Sequence, residues 1–289
     1  HTTGVLTMDE ESDQVSIRRI LVALDASNHS MAALEAAARL ARSMGAELQG
    51  LFVEDINWFR ISRHPLTKEI SSLTGNIHSL QEDHMERQVK ALARRMEKLM
   101  QRVSEISKID YSFKSVRGGV EKQILDATEN VDLITLGRVG QSMSRGEELG
   151  KTTRYILKES DKPVLLLQQG LKIGDFIIVV YDGSPESRRG LHLARTIALQ
   201  AESKIKVISF EHNVDDAEDR RREIHELLDQ WNLKAPVSSL RIPEAMHLGQ
   251  MIHEQNGGLI ISSRNQPLFQ GRALQKVIKF IKCPLLLMK

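Results

Sequence analysis

The chain has 289 residues, enough for two domains that each bury a core without disulfide or metal staples. Its 40 basic and 38 acidic residues leave a net charge of +2 with the signs interleaved, and aromatics make up 4%, so neither bulk charge nor stacking platforms favour a nucleic-acid partner. No apolar run approaches the ~20 residues of a membrane span, no basic region precedes an apolar stretch near the start, and the single cysteine, Cys283, reads as a buried thiol, which together predict a cytoplasmic protein with no membrane partner.

Residues 1 to 16 carry Asp9, Glu10, Glu11 and Asp13 among small polar residues and predict a disordered arm. A buried strand follows over Ile17 to Leu24, then a helix over Ser30 to Ser43 with Met31, Leu34, Ala38 and Ala41 inward, ended by Gly45. A second strand, Ala46 to Val53, leads into Asn57 to Leu80, which is too long and polar for an ordinary connection and has the character of a lid or mobile loop. The longest helix runs from about Gln81 to Glu105, with a heptad-like seam of Met85, Val89, Leu92, Met96, Leu99 and Val103. That seam suits packing on the parent sheet better than a partner helix, and Arg87, Lys90, Arg94, Lys98 and Arg102 form a solvated stripe opposite.

Strands near Asp110 to Val116, Val131 to Leu136 and Val164 to Leu167 then alternate with helices over Gly119 to Glu129 and Gly150 to Glu159. After a linker at Gln168 to Gly174 the same alternation recurs, with strands beginning at Phe176, Lys204, Val237, Leu259 and Leu285. Its helices are expected over Pro185 to Leu199, Asp215 to Trp231, Glu244 to Gln255 and Gly271 to Phe280. Ile20-Leu21-Val22-Ala23-Leu24-Asp25-Ala26-Ser27 is matched 157 positions later by Ile177-Ile178-Val179-Val180-Tyr181-Asp182-Gly183-Ser184. The chain is therefore read as a tandem duplication, with domains at 17–169 and 174–289. The fold class expected is α/β, two doubly wound parallel sheets with helices on both faces.

The sharpest chemical signal is Gly137-Arg138-Val139-Gly140, nine residues, and then Gly150-Lys151-Thr152-Thr153 opening a helix. Glycines let backbone amides approach an anion closely, and the first helical turn offers unpaired N–H groups and the positive end of a dipole. Asp25, Val53 and Gly137 fall at strand ends, where doubly wound sheets collect ligands. Asp25, with Ser27 near it, can accept from a ribose hydroxyl or an adenine amino group, although a helix N-cap is its other use. A P-loop needs glycine at position 145, where Arg145 stands.

This pattern resembles the universal stress protein family, whose nucleotide-binding members carry G-x2-G-x9-G-[ST] after the fourth strand. The resemblance covers roughly residues 17 to 289. It implies that main-chain groups of Val53 and Leu136 border an adenine, that Asp25 faces base and ribose, and that Gly137, Gly140 and Gly150 hold phosphates. Thr152 and Thr153 would stand on the first helical turn. Lys151 departs from the family's Ser or Thr, and could face the phosphates or the solvent. The implied cofactor is ATP, with or without Mg, or else ADP or AMP. Relatives pair domains through their last strands, which implies an internal pseudo-dimer or a homodimer.

In the second copy Ser263, Arg264, Asn265 and Gln266 replace the first glycine turn, and the loop before Gly271 is five residues shorter. That domain is expected to bind nucleotide weakly or not at all. The histidine pairs His78 and His84, and His247 and His253, are six apart and lack metal-ligand spacing on a helix. No nucleophile motif is present, so the protein is read as a stress-response or signalling protein that binds an adenine nucleotide and is not an enzyme. The alternative is an interaction scaffold whose site Lys151 has spoiled. An adenylating pyrophosphatase is disfavoured because Leu24 to His29 lacks its phosphate loop.

Overall fold

The computed structural model describes residues 16–25, 28–62, 68–70, 77–79, 82–137, 149–167, 176–211, 214–241, 248, 258–281 and 283–289. The expected arm lies outside these residues but for its last position, as do the linker at 168–174 and, apart from Leu248, the helix expected at 244–255.

The first half supplies β1 (Arg19–Leu24), α1 (Asn28–Met44), β2 (Glu47–Asp55), α2 (Ile56–Ser62), the short strands β3 (Lys68–Ile70) and β4 (Ile77–Ser79), and α3 (Glu82–Ser107). It continues with β5 (Tyr111–Gly118), α4 (Val120–Ala127), β6 (Leu133–Gly137), α5 (Lys151–Glu159) and β7 (Val164–Leu167). The second half adds β8 (Phe176–Tyr181), α6 (Pro185–Ala201), β9 (Lys204–Glu211), α7 (Val214–Gln230), β10 (Val237–Arg241), β11 (Leu259–Ser263), α8 (Gly271–Phe280) and β12 (Leu285–Met288).

Ten of these strands form one sheet in the order β10-β9-β8-β11-β12-β7-β6-β1-β2-β5. Every neighbouring pair is parallel except β12 and β7, which meet antiparallel with Leu286 opposite Leu165. The order on one side of that junction mirrors the order on the other. Alternate side chains explain the layering: Ile20, Val22 and Leu24 join a core with α1, α3, α6 and α7, whereas Leu21 and Ile134 join the opposite core with α4, α5 and α8. Helices on both faces bury the inner strands twice, which is why those strands read as continuous apolar runs, whereas the edge strand β5 is largely exposed.

The seam of α3 packs on its own sheet, with Val89, Met96 and Met100 buried in the core and Met85, Leu92, Leu99 and Val103 against it. Gly50 permits that approach, because a Cβ there would stand 3.0 Å from the Met100 sulfur and 3.1 Å from the Phe113 ring. Two elements depart from the sequence-based expectation. β2 and β5 run past their last apolar residues because main-chain pairing continues to Asp55 opposite Gly118. The insertion after β2 contains regular structure: α2 begins at Ile56, with Phe59 buried, and β3 pairs antiparallel with β4. The guanidinium of Arg117 lies 4.1 Å from the Phe59 ring centre and secures α2 against the end of β5.

Candidate functional site

The chain turns from β1 into α1 on one face of the sheet and from β6 into α5 on the other, so a crevice opens where β1 and β6 diverge. A cleft of about 520 Å³ fills that crevice, within the roughly 300–1,000 Å³ of small-molecule sites. Eight of the ten expected residues line it: Asp25, Val53, Leu136, Gly137, Gly150, Lys151, Thr152 and Thr153. Ser27 and Gly140 lie outside the described residues.

One end of the cleft is apolar. Leu51, Val53, Ile124 and Leu136 form its floor, all buried in the core beneath α4 and α5. Trp58, at the start of α2, gives it a half-buried aromatic wall. Asp55 fixes the turn into α2, its Oδ1 accepting from the Asn57 amide at 2.9 Å. A flat heteroaromatic ring could lie on such a floor with its polar edge against main-chain groups of β2 and β6.

The other end is polar and is built by the start of α5. Gly150 is its N-cap, at φ −63° and ψ 157°, and has no side chain with which to cap the helix. First-turn amides led by such a glycine are suited to an anion. Thr153 is buried, and its hydroxyl donates to the Gly137 carbonyl at 3.1 Å, tying the helix start to the end of β6. Lys151 is mostly exposed, and its Nζ stands 3.4 Å from Glu121 Oε1. The same oxygen accepts from the Thr152 hydroxyl at 3.5 Å. Of the two orientations left open for Lys151 the side chain takes the solvent-exposed one, with its ammonium beside Glu121.

Glu121, Trp58 and Asp55 were not among the expected site residues. The signal for Glu121 was its place in the first helical turn after a strand end; for Trp58 it was a lone aromatic opening a polar insertion. Among the described residues no group of three or more His, Cys, Asp or Glu is arranged to hold a metal ion.

Among the described residues, the equivalent region of the second half is occupied by different side chains. Strand register makes Phe210 the counterpart of Val53, because Leu24 pairs with Phe52 while Tyr181 pairs with Ser209. The Phe210 carbonyl accepts a hydrogen bond from Arg220 on α7. Gly183 makes room for that arginine: its φ is +78°, and a Cβ there would stand 3.2 Å from Arg220 Nε. Asp182 turns onto its own loop, accepting from the Ser184 amide at 3.0 Å, and Ser184 caps α6. Ser263 is the counterpart of Gly137, and the next residue, Arg264, is buried. Arg264 donates to the carbonyls of Leu157, Ser160 and Lys162 at the end of α5, at 2.8, 2.7 and 2.5 Å. Burial pushes its pKa down to about 10, still far above neutral, so it carries its charge into the junction between the halves.

Comparison with known proteins agrees with the architecture. The model of the universal stress protein family matches residues 16–168. A universal stress protein from Archaeoglobus fulgidus DSM 4304 is 19% identical at a TM-score of 0.72, with 94% of this chain and 98% of that chain covered. A functionally unknown protein from Pseudomonas aeruginosa PAO1 is 14% identical at 0.61, with 97% and 94% covered. The cytoplasmic domain of a prokaryotic cation chloride cotransporter, 10% identical at 0.59, covers 94% and 95%, so this fold also serves a different kind of protein. No curated protein sequence is significantly similar to the chain. The family match spans more than half of the residues and includes the whole candidate cleft, and on that ground the chain belongs to the universal stress protein family.

Proposed function

We propose that this member of the family is a cytoplasmic stress-response or signalling protein that binds ATP or another adenine nucleotide in its first domain, residues 17–169. The observation that carries the reading is the convergence of strand ends and the uncapped, glycine-led start of α5 on one cleft of suitable volume. The residues present fit the ligand's chemistry. Val53 and Leu136 offer main-chain edges for a base, Trp58 offers a ring face, Asp25 accepts from hydroxyl or amino groups, and the α5 amides take phosphate oxygens. When bound, the nucleotide supplies an anion that can be added or removed. Because Thr153 already joins α5 to β6, occupancy there alters the helix that carries the junction with the second half. Such a signal needs different affinities for two states and no chemical step, so we read the protein as a binding module and not as an enzyme.

The second domain, residues 174–289, is read as a degenerate copy whose work is pairing with the first through β12 and β7, an internal pseudo-dimer. Denaturing the purified chain and chromatographing what it releases, followed by calorimetric titration with ATP, ADP and AMP, tests the reading. One adenine nucleotide per chain is expected. No binding of any of the three at millimolar concentration would sink it and leave the fold as a scaffold for a protein partner.

A further inference from the structure

The place best suited to an anion in the cleft is held by the protein's own carboxylate. Glu121 stands in the first turn of α4, whose N-cap Gly119 provides no capping side chain, and its Oε1 reaches Lys151 and Thr152 in the first turn of α5. Two helix starts, an ammonium and a hydroxyl therefore converge on one carboxylate oxygen. Among the described residues lining the cleft the charges are Asp25, Asp55 and Glu121 against Lys151 alone. From these residues a phosphate chain meets a surplus of negative charge and a cation paired with one of the carboxylates.

We infer that Glu121 is an internal anion that sets which nucleotides the cleft accepts, admitting adenosine and its monophosphate and holding back uncomplexed di- and triphosphate by charge. This rests on the adenine-nucleotide reading of the same cleft. Glu121 is a specificity residue: its side chain is 24% exposed, and its partners among the described residues are the two α5 side chains that a phosphate would also use. Magnesium complexed to the phosphates offsets their charge and relieves the exclusion, without a protein-held metal ion.

The test is calorimetric titration of the full chain and of Glu121→Gln with adenosine, AMP, ADP and ATP, first with no divalent cation. The variant keeps the shape and one acceptor oxygen, and far-UV circular dichroism superimposable on wild type together with retained adenosine binding would show that it folds. Removing the charge is expected to raise affinity for metal-free ATP about tenfold while moving adenosine by less than about twofold. Excess magnesium is expected to narrow the ATP difference between the two proteins. An ATP-to-adenosine affinity ratio equal in both proteins would overturn the inference while leaving the site reading intact, as would a difference that magnesium does not change. If neither protein binds adenosine or any nucleotide, the site reading itself fails.

Discussion

At the end of β1 Asp25 lines an open cleft, and at the end of β8 its counterpart Asp182 accepts from the Ser184 amide of its own turn. The two halves share strand order and a glycine at the start of the last helix of each half, Gly150 and Gly271. What separates them is where long polar side chains reach. In the second half Arg220 takes the carbonyl equivalent to that of Val53, and Arg264 leaves its own crevice to bind the end of α5. In the first half the long side chain of Lys151 is turned aside by Glu121, and the crevice stays open. The backbone creates the place for a site, and a few arginines decide whether it is a binding cleft or a joint.

The largest effect that would test this contrast is at the paired glycines. Gly150 has φ −63° and ψ 157°, open to any residue, so Gly150→Val should fold normally while its methyls crowd the α5 amides. Nucleotide affinity measured by calorimetry should fall on the order of a hundredfold or more. Gly271, at φ +49°, is the reverse case: Gly271→Val strains the backbone but should leave nucleotide affinity unchanged. Equal losses in both variants would erase the distinction between the halves.

Next in size is the joint. Arg264→Met removes a forked donor from three carbonyls of the other half, and leaving such groups without their partner should cost about 2–4 kcal/mol in urea unfolding. Arg264→Lys should recover little, since an ammonium does not reproduce the fork. A loss below about 0.5 kcal/mol, as at an ordinary surface position, would mean the arginine only fills space.

How far these features could be read from the sequence follows from their range. The strands were legible because a run such as Ile177 to Val180 is buried on both faces, and burial of that kind leaves an unbroken apolar signature. Their ends were less so: β2 continues through Glu54 and Asp55 on main-chain pairing that no side-chain pattern records. In the cleft, Asp25, Gly137 and Gly150 were legible because a strand end and a glycine-led helix start are local features. Glu121 was not, since an acid in a first helical turn looks the same whether it caps the dipole into solvent or reaches a neighbouring helix. Arg264 was illegible for a stronger reason, because its acceptors lie more than a hundred residues away in sequence.

A smaller effect concerns the polar cluster at the end of β8, where Tyr181 and Arg188 meet Glu223. The Tyr181 hydroxyl is buried, donating to Glu223 at 2.8 Å, and burial and then Glu223 raise its pKa above the ordinary value of 10.0. Below pH 10 the folded and unfolded chains both keep this proton, so its contribution does not vary. Above pH 10 the unfolded chain ionises first, and stability falls as pH rises, by roughly 1 kcal/mol at pH 10.5. Tyr181→Phe should lack that component. Urea midpoints at pH 8 and 10.5 that fall by the same amount in both proteins would show that the tyrosine ionises as easily folded as unfolded.

The smallest expected effect bears most directly on what Arg220 does in the second half. Arg220→Ala removes the side chain that holds the Phe210 carbonyl, freeing the edge equivalent to the main chain of Val53. Asp182 Oδ1 would still be held by the Ser184 amide and hydroxyl, and the crevice would still carry Ser263 and Arg264 where the first half has its glycine turn. Calorimetric stoichiometry should therefore stay at one nucleotide per chain. Two per chain would mean that one arginine kept an otherwise competent site shut, and that the missing glycines matter less than the side chain on the Phe210 carbonyl.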